Sequence, residues 1–234
     1  MDRSPTLNEA LRQSRERLYP SLTNPNWLVL RARRRIFADW LAKLPSNTLD
    51  VLDVGGRIQP YRDLLKDRLR CYVAIDMELT PLVDILALAE SLPLADARFD
   101  VVICSQMLQY AADPSLVVAE IHRVLKPGGV LLLSVPCACL ADAEEECWRF
   151  LPQALRHLLS AFAGVEISAE GSSVTGFFRT VNTCLEIFPR YPAARFLYRY
   201  SFAPALNLAG VLAEKISRSG NEQFVVNYSV LAKK

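Results

Sequence analysis

Two helix-periodic stretches open the chain, and an alternation of strands and helices follows. Leu7, Leu11 and Leu18 share one helical face. Asn24-Pro25 reads as an N-cap with Pro at the first helical position. It leads into Trp27, Leu28, Leu30, Ile36, Phe37, Trp40, Leu41 and Leu44, and Pro45-Ser46-Asn47 closes the element. Arg31, Arg33, Arg34 and Arg35 are expected on its solvated side. From residue 49 short β-rich runs take over: Leu49–Val54, Cys71–Ile75, Val83–Ala87 and Phe99–Cys104. Asp113-Pro114 starts a helix through Leu116, Val117, Ile121, Val124 and Leu125, ended by Lys126-Pro127-Gly128-Gly129 as a basic last turn with glycine behind it. Val130–Val135 reads as a strand apolar but for Ser134, the kind a parallel sheet covers on both faces. Pro152–Phe162 reads as a helix, Val165–Ala169 as a strand and Phe224–Ala232 as the last strand.

This alternation predicts an α/β fold with a doubly wound, mostly parallel seven-stranded sheet. Four segments follow: helices over 1–47, the core over 48–171, a helical insertion over 172–219 and a closing strand over 220–234. With 234 residues, 51% hydrophobic and 22% charged, one large domain with additions is the natural reading, and a disordered chain is excluded. The start lacks the apolar centre of a signal peptide, no apolar run is long enough to span a bilayer, and six cysteines are too sparse for a disulfide scaffold. A cytoplasmic protein is expected.

In such sheets ligands bind beyond the carboxyl ends of the strands, near the reversal of strand order. Two acids stand there, Asp53 in the first strand and Asp76 after the second. An acid ending the second strand is placed to accept hydrogen bonds from ribose hydroxyls, although either aspartate alone could be a loop or capping residue. Neither G-x-x-x-x-G-K-[ST] nor G-x-G-x-x-G occurs, and the first turn, Gly55-Gly56-Arg57-Ile58-Gln59-Pro60-Tyr61, allows close backbone approach at two positions only. A cofactor without phosphates fits that loop best.

Val51-Leu52-Asp53-Val54-Gly55-Gly56 resembles the first motif of class I S-adenosylmethionine-dependent methyltransferases, and Tyr72-Val73-Ala74-Ile75-Asp76 their second. Residues 89–100, Ser105-Gln106-Met107-Leu108-Gln109-Tyr110 and above all Glu120-Ile121-His122-Arg123-Val124-Leu125-Lys126-Pro127-Gly128-Gly129 continue the likeness in the right order. It covers about residues 48 to 170 plus the last strand, and is strongest to the small-molecule type 11 branch. The resemblance implies S-adenosyl-L-methionine as cofactor, bound by Asp53, Gly55, Gly56, Arg57, Asp76, Met77, Ala89, Glu90, Ser105 and Gln106. Asp53 would hold the methionine amino group, Asp76 the ribose hydroxyls and Met77 the adenine face. The backbone at Ala89 would meet the adenine edge, and that around Ser105 would accept from the amino group.

The departures are specific. The family commonly writes G-x-G-x-G where this chain has Gly55, Arg57 and Gln59, so the loop must take another path or be strained. Leu88 stands where the family often has Asp, and Gln109-Tyr110 where a Glu-His pair is common. No histidine base is then available, but in-line displacement from a sulfonium can proceed by positioning. Gln109 and Tyr110 remain weak catalytic candidates; Tyr110, Trp148 and Arg149 are candidates for contact with substrate. The expected reaction is methylation, at oxygen, of a small or lipid-linked acceptor. The alternative is a degenerate methyltransferase-like binding or scaffold protein.

Other groups carry less. His122 and His157 lack ligand partners, Cys137, Cys139 and Cys147 lack metal-site spacing, and Glu144-Glu145-Glu146 reads as a solvated acidic turn. No metal is expected. The net charge of +2 divides unevenly: residues 1–44 hold nine Lys/Arg against four Asp/Glu, and residues 172–219 six against two. Nucleic acid is not expected as a partner, because no stacking aromatics accompany the basic helix. The insertion combines Phe177, Phe178, Phe188, Tyr191, Phe196, Tyr198, Tyr200 and Phe202 with Arg179, Arg190, Arg195 and Arg199, and is broken by Pro189, Pro192 and Pro204. It reads as a lid on the sheet domain or a dimer contact. The sharper reading is peripheral contact with anionic lipid through 190–213 and an anionic substrate at the site mouth.

Overall fold

The structure is a computed structural model that describes residues 5–45, 48–138, 145–187, 189, 191–217 and 221–234. Ser46, Asn47, Cys139, Glu144, Phe188 and Arg190 lie outside the described residues. Helix α1 (Leu7–Leu18) starts on a reciprocal cap: Thr6 Oγ1 accepts from the Glu9 amide, and the Glu9 carboxylate accepts from the Thr6 amide at 2.7 Å. Helix α2 (Trp27–Ala42) begins later than Asn24-Pro25 suggested. Asn24 Oδ1 accepts from the Asn26 amide at 2.8 Å and so forms the turn before the helix instead of its cap.

Seven strands form one sheet in the order β3-β2-β1-β4-β5-β7-β6. They are β1 (Leu49–Val54), β2 (Leu69–Asp76), β3 (Ile85–Leu86), β4 (Phe99–Ser105), β5 (Leu125–Pro136), β6 (Gly164–Ala169) and β7 (Asn227–Lys233). The first five in sequence are mutually parallel, and β7 runs antiparallel between β5 and β6. Strand order reverses between β1 and β4. Strand alternation divides the core. Leu52, Val54, Val102, Cys104, Leu131 and Leu133 share one cluster with α3 (Pro114–Val124) and α4 (Pro152–Leu158). Val51, Val101, Ile103, Val130 and Leu132 face the other way, against Phe37, Trp40 and Leu41 of α2.

Several boundaries move for local reasons. Helix α3 has its expected cap, Asp113 accepting from Ser115, but ends at Val124. Lys126-Pro127-Gly128-Gly129 is extended chain at the head of β5, with Gly128 at φ +79° and its amide on the Lys234 carbonyl. Lys126 therefore serves no helix end; its ammonium joins Asp50 (3.0 Å) and Asp100 (2.8 Å) where β1 and β4 begin. The cation at the end of α3 is Lys234, whose Nζ donates to the carbonyls of His122 and Leu125. Helix α4 stops at Leu158 rather than Phe162, β3 shrinks to two residues, and β7 starts at Asn227 rather than Phe224.

The expected solvated arginine row is also corrected. Arg31 and Arg34 lie over the rings of Trp27 and Tyr19, but Arg33 is 2% exposed and paired to Glu170 at 2.8 Å. Glu146 likewise is no solvated residue: its side chain is buried against Arg149 at 2.6 Å.

The insertion folds as α5 (Ser173–Ile187), α6 (Pro192–Leu197), a π-helical turn (Tyr198–Phe202) and α7 (Ala203–Ser217). Pro204 does not break the helix, contrary to expectation. The wider turn just before it accommodates a residue that lacks an amide donor and crowds the carbonyl four positions back. Helices α5 and α7 pack on each other and on α2. Asn182 donates to Asn207 Oδ1 (3.2 Å), and Asn207 donates to the carbonyls of Leu22 and Asn24 (2.8 and 3.0 Å). Outward, Phe196, Tyr200, Leu208, Leu212 and Ile216 remain exposed. Among the described residues no helix is long and apolar enough to cross a membrane.

Candidate functional site

Three loops meet at the carboxyl edge of the sheet, beside the strand reversal. The loop after β1 turns at Gly55, whose φ of +79° suits glycine, and the amides of Gly55 and Gly56 both donate to the Ile75 carbonyl (2.8 and 3.1 Å). A Cβ on Gly55 would stand 2.6 Å from Met107, and one on Gly56 2.8 Å from the Asp53 carboxyl carbon. Only glycine allows the loop to lie this close to β2 and to the turn after β4. The strain anticipated at Arg57 and Gln59 falls on Gln59 alone, at φ +47°. Its neighbours hold it there. Its side chain donates to the Leu82 carbonyl and accepts from Arg62, and its carbonyl accepts from Ser14 of α1 at 3.4 Å.

Asp53 is buried below this loop and accepts a 2.6 Å hydrogen bond from the Tyr72 hydroxyl. Desolvation pushes its pKa up to about 7, with the Asp76 charge acting in the same direction and the Tyr72 bond against it. Asp76 ends β2 half-buried; desolvation raises its pKa, while the backbone amides of Glu78 and Arg57 favour its charged form. Two carboxylates, both made costly by burial, thus flank a glycine turn. That arrangement suits a cationic, hydroxyl-bearing ligand. Met77 and Leu88 stand exposed nearby in sequence and offer apolar surface. Arg57 reaches Glu78 at 2.5 Å, so its charge ties the first loop to the second.

Other site residues are placed differently from a simple lining. Glu90, which follows the half-buried Ala89, accepts from the Ala112 amide at 3.0 Å and braces the loop after β4. Ser105 ends β4 within 3.3 Å of the Tyr61 hydroxyl. Gln106 adopts φ +56° and donates from both its amide and its side chain to Ser134 (2.8 and 3.1 Å). Gln109 is buried, donates to the Gln106 carbonyl, and accepts the amides of Cys147 and Trp148 at its own carbonyl. It fixes the post-β4 turn to the loop segment that carries Trp148. Tyr110 and Trp148 are partly exposed, with the Trp148 indole donating to the Ala111 carbonyl at 2.8 Å. Arg149 is engaged with Glu146. Among the described residues no cluster of metal-ligating side chains forms.

A polar row that sequence reasoning missed runs behind these loops. Ser105, Ser134, Ser229 and Ser168 pair in register across β4, β5, β7 and β6. Above the row Glu170 accepts from Ser134 (2.6 Å), Ser229 (2.7 Å), Asn227 (3.3 Å) and Arg33 (2.8 Å). One signal was available: Arg33 interrupts the apolar stripe Leu30, Phe37 and Leu41 at helical spacing, and such a position is buried.

Comparison with known proteins agrees with this geometry. Residues 52–133 match the methyltransferase domain family. The chain is 34% identical over 110 residues to a malonyl-[acyl-carrier protein] O-methyltransferase of Marinomonas sp. (strain MWYL1), covering 40% of this chain and 41% of that one. It is 35% identical over 141 residues to a probable S-adenosylmethionine-dependent methyltransferase of Mycolicibacterium smegmatis, covering 56% and 53%. The matches thus span about half or less of each relative. Among solved structures, the [4+2]-cyclase SpnF aligns with a TM-score of 0.56 at 22% identity over 99% of this chain and 97% of that one, a likeness of fold. Strand order and the glycine turn between the Asp53 and Asp76 carboxylates accompany that match: over residues 52–133 the chain resembles a class I S-adenosylmethionine-dependent methyltransferase domain.

Proposed function

We propose that this chain binds S-adenosylmethionine and transfers its methyl group to an oxygen of a small-molecule or lipid-linked acceptor. The observation that carries the reading is the pair Asp53 and Asp76 at the ends of adjacent parallel strands, with Gly55-Gly56 between them. Bound S-adenosylmethionine would supply an electrophilic methyl carbon on a sulfonium, open to in-line attack by the acceptor oxygen as the carbon–sulfur bond breaks and the thioether leaves. The chain's own residues bind and orient. Asp53, held by Tyr72, offers a desolvated carboxylate to the amino group of the cofactor, and Asp76 takes ribose hydroxyls. Gly55 and Gly56 would let the backbone approach the methionyl part, the backbone at Ala89 and Ser105 would complete the cradle, and Met77 would lie against the base. Gln106 sets the path of the turn after β4, and Tyr110 and Trp148 lie at the rim where an acceptor enters. Methylation without a histidine base relies on alignment of the reactants, an effect of about 7–11 kcal/mol at its best. The acyl-carrier-protein substrate of the Marinomonas relative supports a carrier- or lipid-linked acceptor.

Calorimetry with S-adenosylmethionine tests the reading. Wild type binds, and Asp76→Ala, which removes charge-assisted hydrogen bonds each of about 1.5–3 kcal/mol, weakens affinity at least ~10-fold with circular dichroism unchanged. Transfer of a labelled methyl group into an extract fraction completes the case. Equal affinity in the variant overturns the Asp76 assignment; cofactor binding without any transfer turns the reading to the binding or scaffold protein.

A further inference from the structure

Helices α5 and α7 are built inside out for a pair that faces water. The buried residues of α7 are Ala203, Asn207 and Gly210, whereas Leu208, Leu212 and Ile216 are exposed, the last at 81%. With about 3.6 residues per turn, the two sets lie on opposite sides of the helix. In α5 the buried residues are Thr175, Gly176 and Asn182, while Phe177, Leu185 and Ile187 are exposed. Polar bonds and close approach hold the inner side. Asn182 donates to Asn207 Oδ1 at 3.2 Å, and the Tyr198 hydroxyl lies 2.5 Å from Asn182 Oδ1. A Cβ on Gly210 would stand 2.8 Å from Leu28 and 3.2 Å from Phe178. A helix on a water-facing surface turns its large apolar residues inward. Small residues and amides between helices, with large apolar groups outside, are the packing of helices whose outer face meets hydrocarbon.

Length and charge narrow the partner. Residues 200–213 hold no charged side chain, and exposed cations flank them: Arg195 and Arg199 before, Lys215 after. That run of 14 residues is shorter than the ~20 a helix needs to cross a bilayer, so it suits the interface and not a span. Phe196 and Tyr200, both more than half exposed, stack at 4.6 Å beside the arginines. Over 172–219 six Lys/Arg stand against Glu186 and Glu214, and Glu214 accepts from the Thr175 hydroxyl at 3.0 Å. A second copy of the chain fits this face poorly. Cations at both ends of the stripe would meet cations whether two copies packed parallel or antiparallel. Anionic headgroups complement both ends.

We propose that the outer face from Phe196 to Ile216 is a docking surface for an anionic lipid bilayer. Leu208, Leu212 and Ile216 enter the acyl boundary, and Arg195, Arg199 and Lys215 meet the phosphates. The surface acts whether or not the chain transfers methyl groups.

Flotation of the full chain with vesicles is the test, using phosphatidylcholine alone or mixed with phosphatidylglycerol. Wild type should float with the mixed vesicles and not with phosphatidylcholine, and added salt should release it. Leu208→Asn with Leu212→Asn should weaken partitioning at least ~10-fold, and Arg195→Gln with Arg199→Gln should do the same. All four positions are exposed, so circular dichroism should match wild type. Leu116→Asn, on α3 and as exposed as Leu208, should partition like wild type. No flotation with either vesicle, equal flotation with both, or unchanged partitioning in either double variant overturns the proposal. So does a wild type that ignores vesicles and sediments as a dimer that Leu208→Asn with Leu212→Asn dissociates, a result that assigns the face to a second copy.

Discussion

The sheet at residues 49–136 and the helical cap of α1, α2 and α5–α7 bury their contacts by different means. Within the sheet side chains alternate between two apolar clusters, and the polar groups Asp53, Asp76, Ser105 and Ser134 gather toward the carboxyl ends of the strands. The cap adds polar seams to the apolar contacts of Phe37, Trp40 and Leu41. Arg33 with Glu170, Asn182 with Asn207, and Trp40 with Glu166 tie helices to sheet or to each other, while a row of large apolar side chains faces outward. Apolar burial tolerates small shifts, whereas a buried ion pair or amide pair accepts one arrangement. The register of the cap on the sheet is accordingly fixed in part by a few costly contacts.

The sharpest way to break this contrast is Glu170→Ala. It leaves Arg33 charged and buried, and should cost about 3–5 kcal/mol in chemical denaturation, more than a typical truncation of the same size in the sheet. Restoring an apolar pair with Arg33→Met and Glu170→Met should recover most of that loss. A single-variant cost near zero would show that the cap does not depend on the pair.

The second test is the pH dependence of Asp53. Its folded pKa of about 7 lies above its ordinary 3.8, so between these values the folded state holds a proton that the unfolded state has lost. Stability contributed by this group is full below the lower value and declines as pH rises, at up to about 1.4 kcal/mol per pH unit, levelling off above 7. Asp53→Asn should abolish that component, visible as the difference between the two proteins' denaturation midpoints across pH. Parallel profiles would mean that Asp53 is already ionised in the fold.

The smallest effect concerns backbone strain outside the site. Ala97, at φ +50° and exposed, leads into β4 with its amide on the Arg123 carbonyl. Ala97→Gly should raise stability by up to about 1 kcal/mol, the left-handed penalty less the extra freedom of an unfolded glycine. Gln59→Gly, by contrast, should gain little, because that side chain holds Leu82 and Arg62.

Residue type and spacing made the sheet legible. Largely apolar runs such as Val130–Leu133 and the Asp113-Pro114 start of α3 leave little freedom, since strand period and cap chemistry are local. Asp53, Gly55, Gly56 and Asp76 were readable for the same reason. What escaped depends on distant partners. Lys126 resembles a helix-ending cation until Asp50 and Asp100 claim it, and Arg33 resembles its solvated neighbours until Glu170, far along the chain, accounts for it. Ser134 and Ser229 carry no pattern of their own; only pairing through β5 and β7 aligns them. The left-handed Gln106 is a property of the turn as a whole, which no single residue announces.

Strand β7 separates β5 from β6, yet it comes after both and after all of α5–α7 in the sequence. Until it is in place β6 has no neighbour in the sheet, and β5 presents an open edge. During synthesis, therefore, the helices of the insertion are made while the sheet is still incomplete, and the loop that β7 closes back onto β5 is long and slow to close. Anything that delays those helices prolongs the life of an apolar strand edge, the surface on which chains join one another. The insertion is thereby a determinant of yield and solubility as well as a partner of α2.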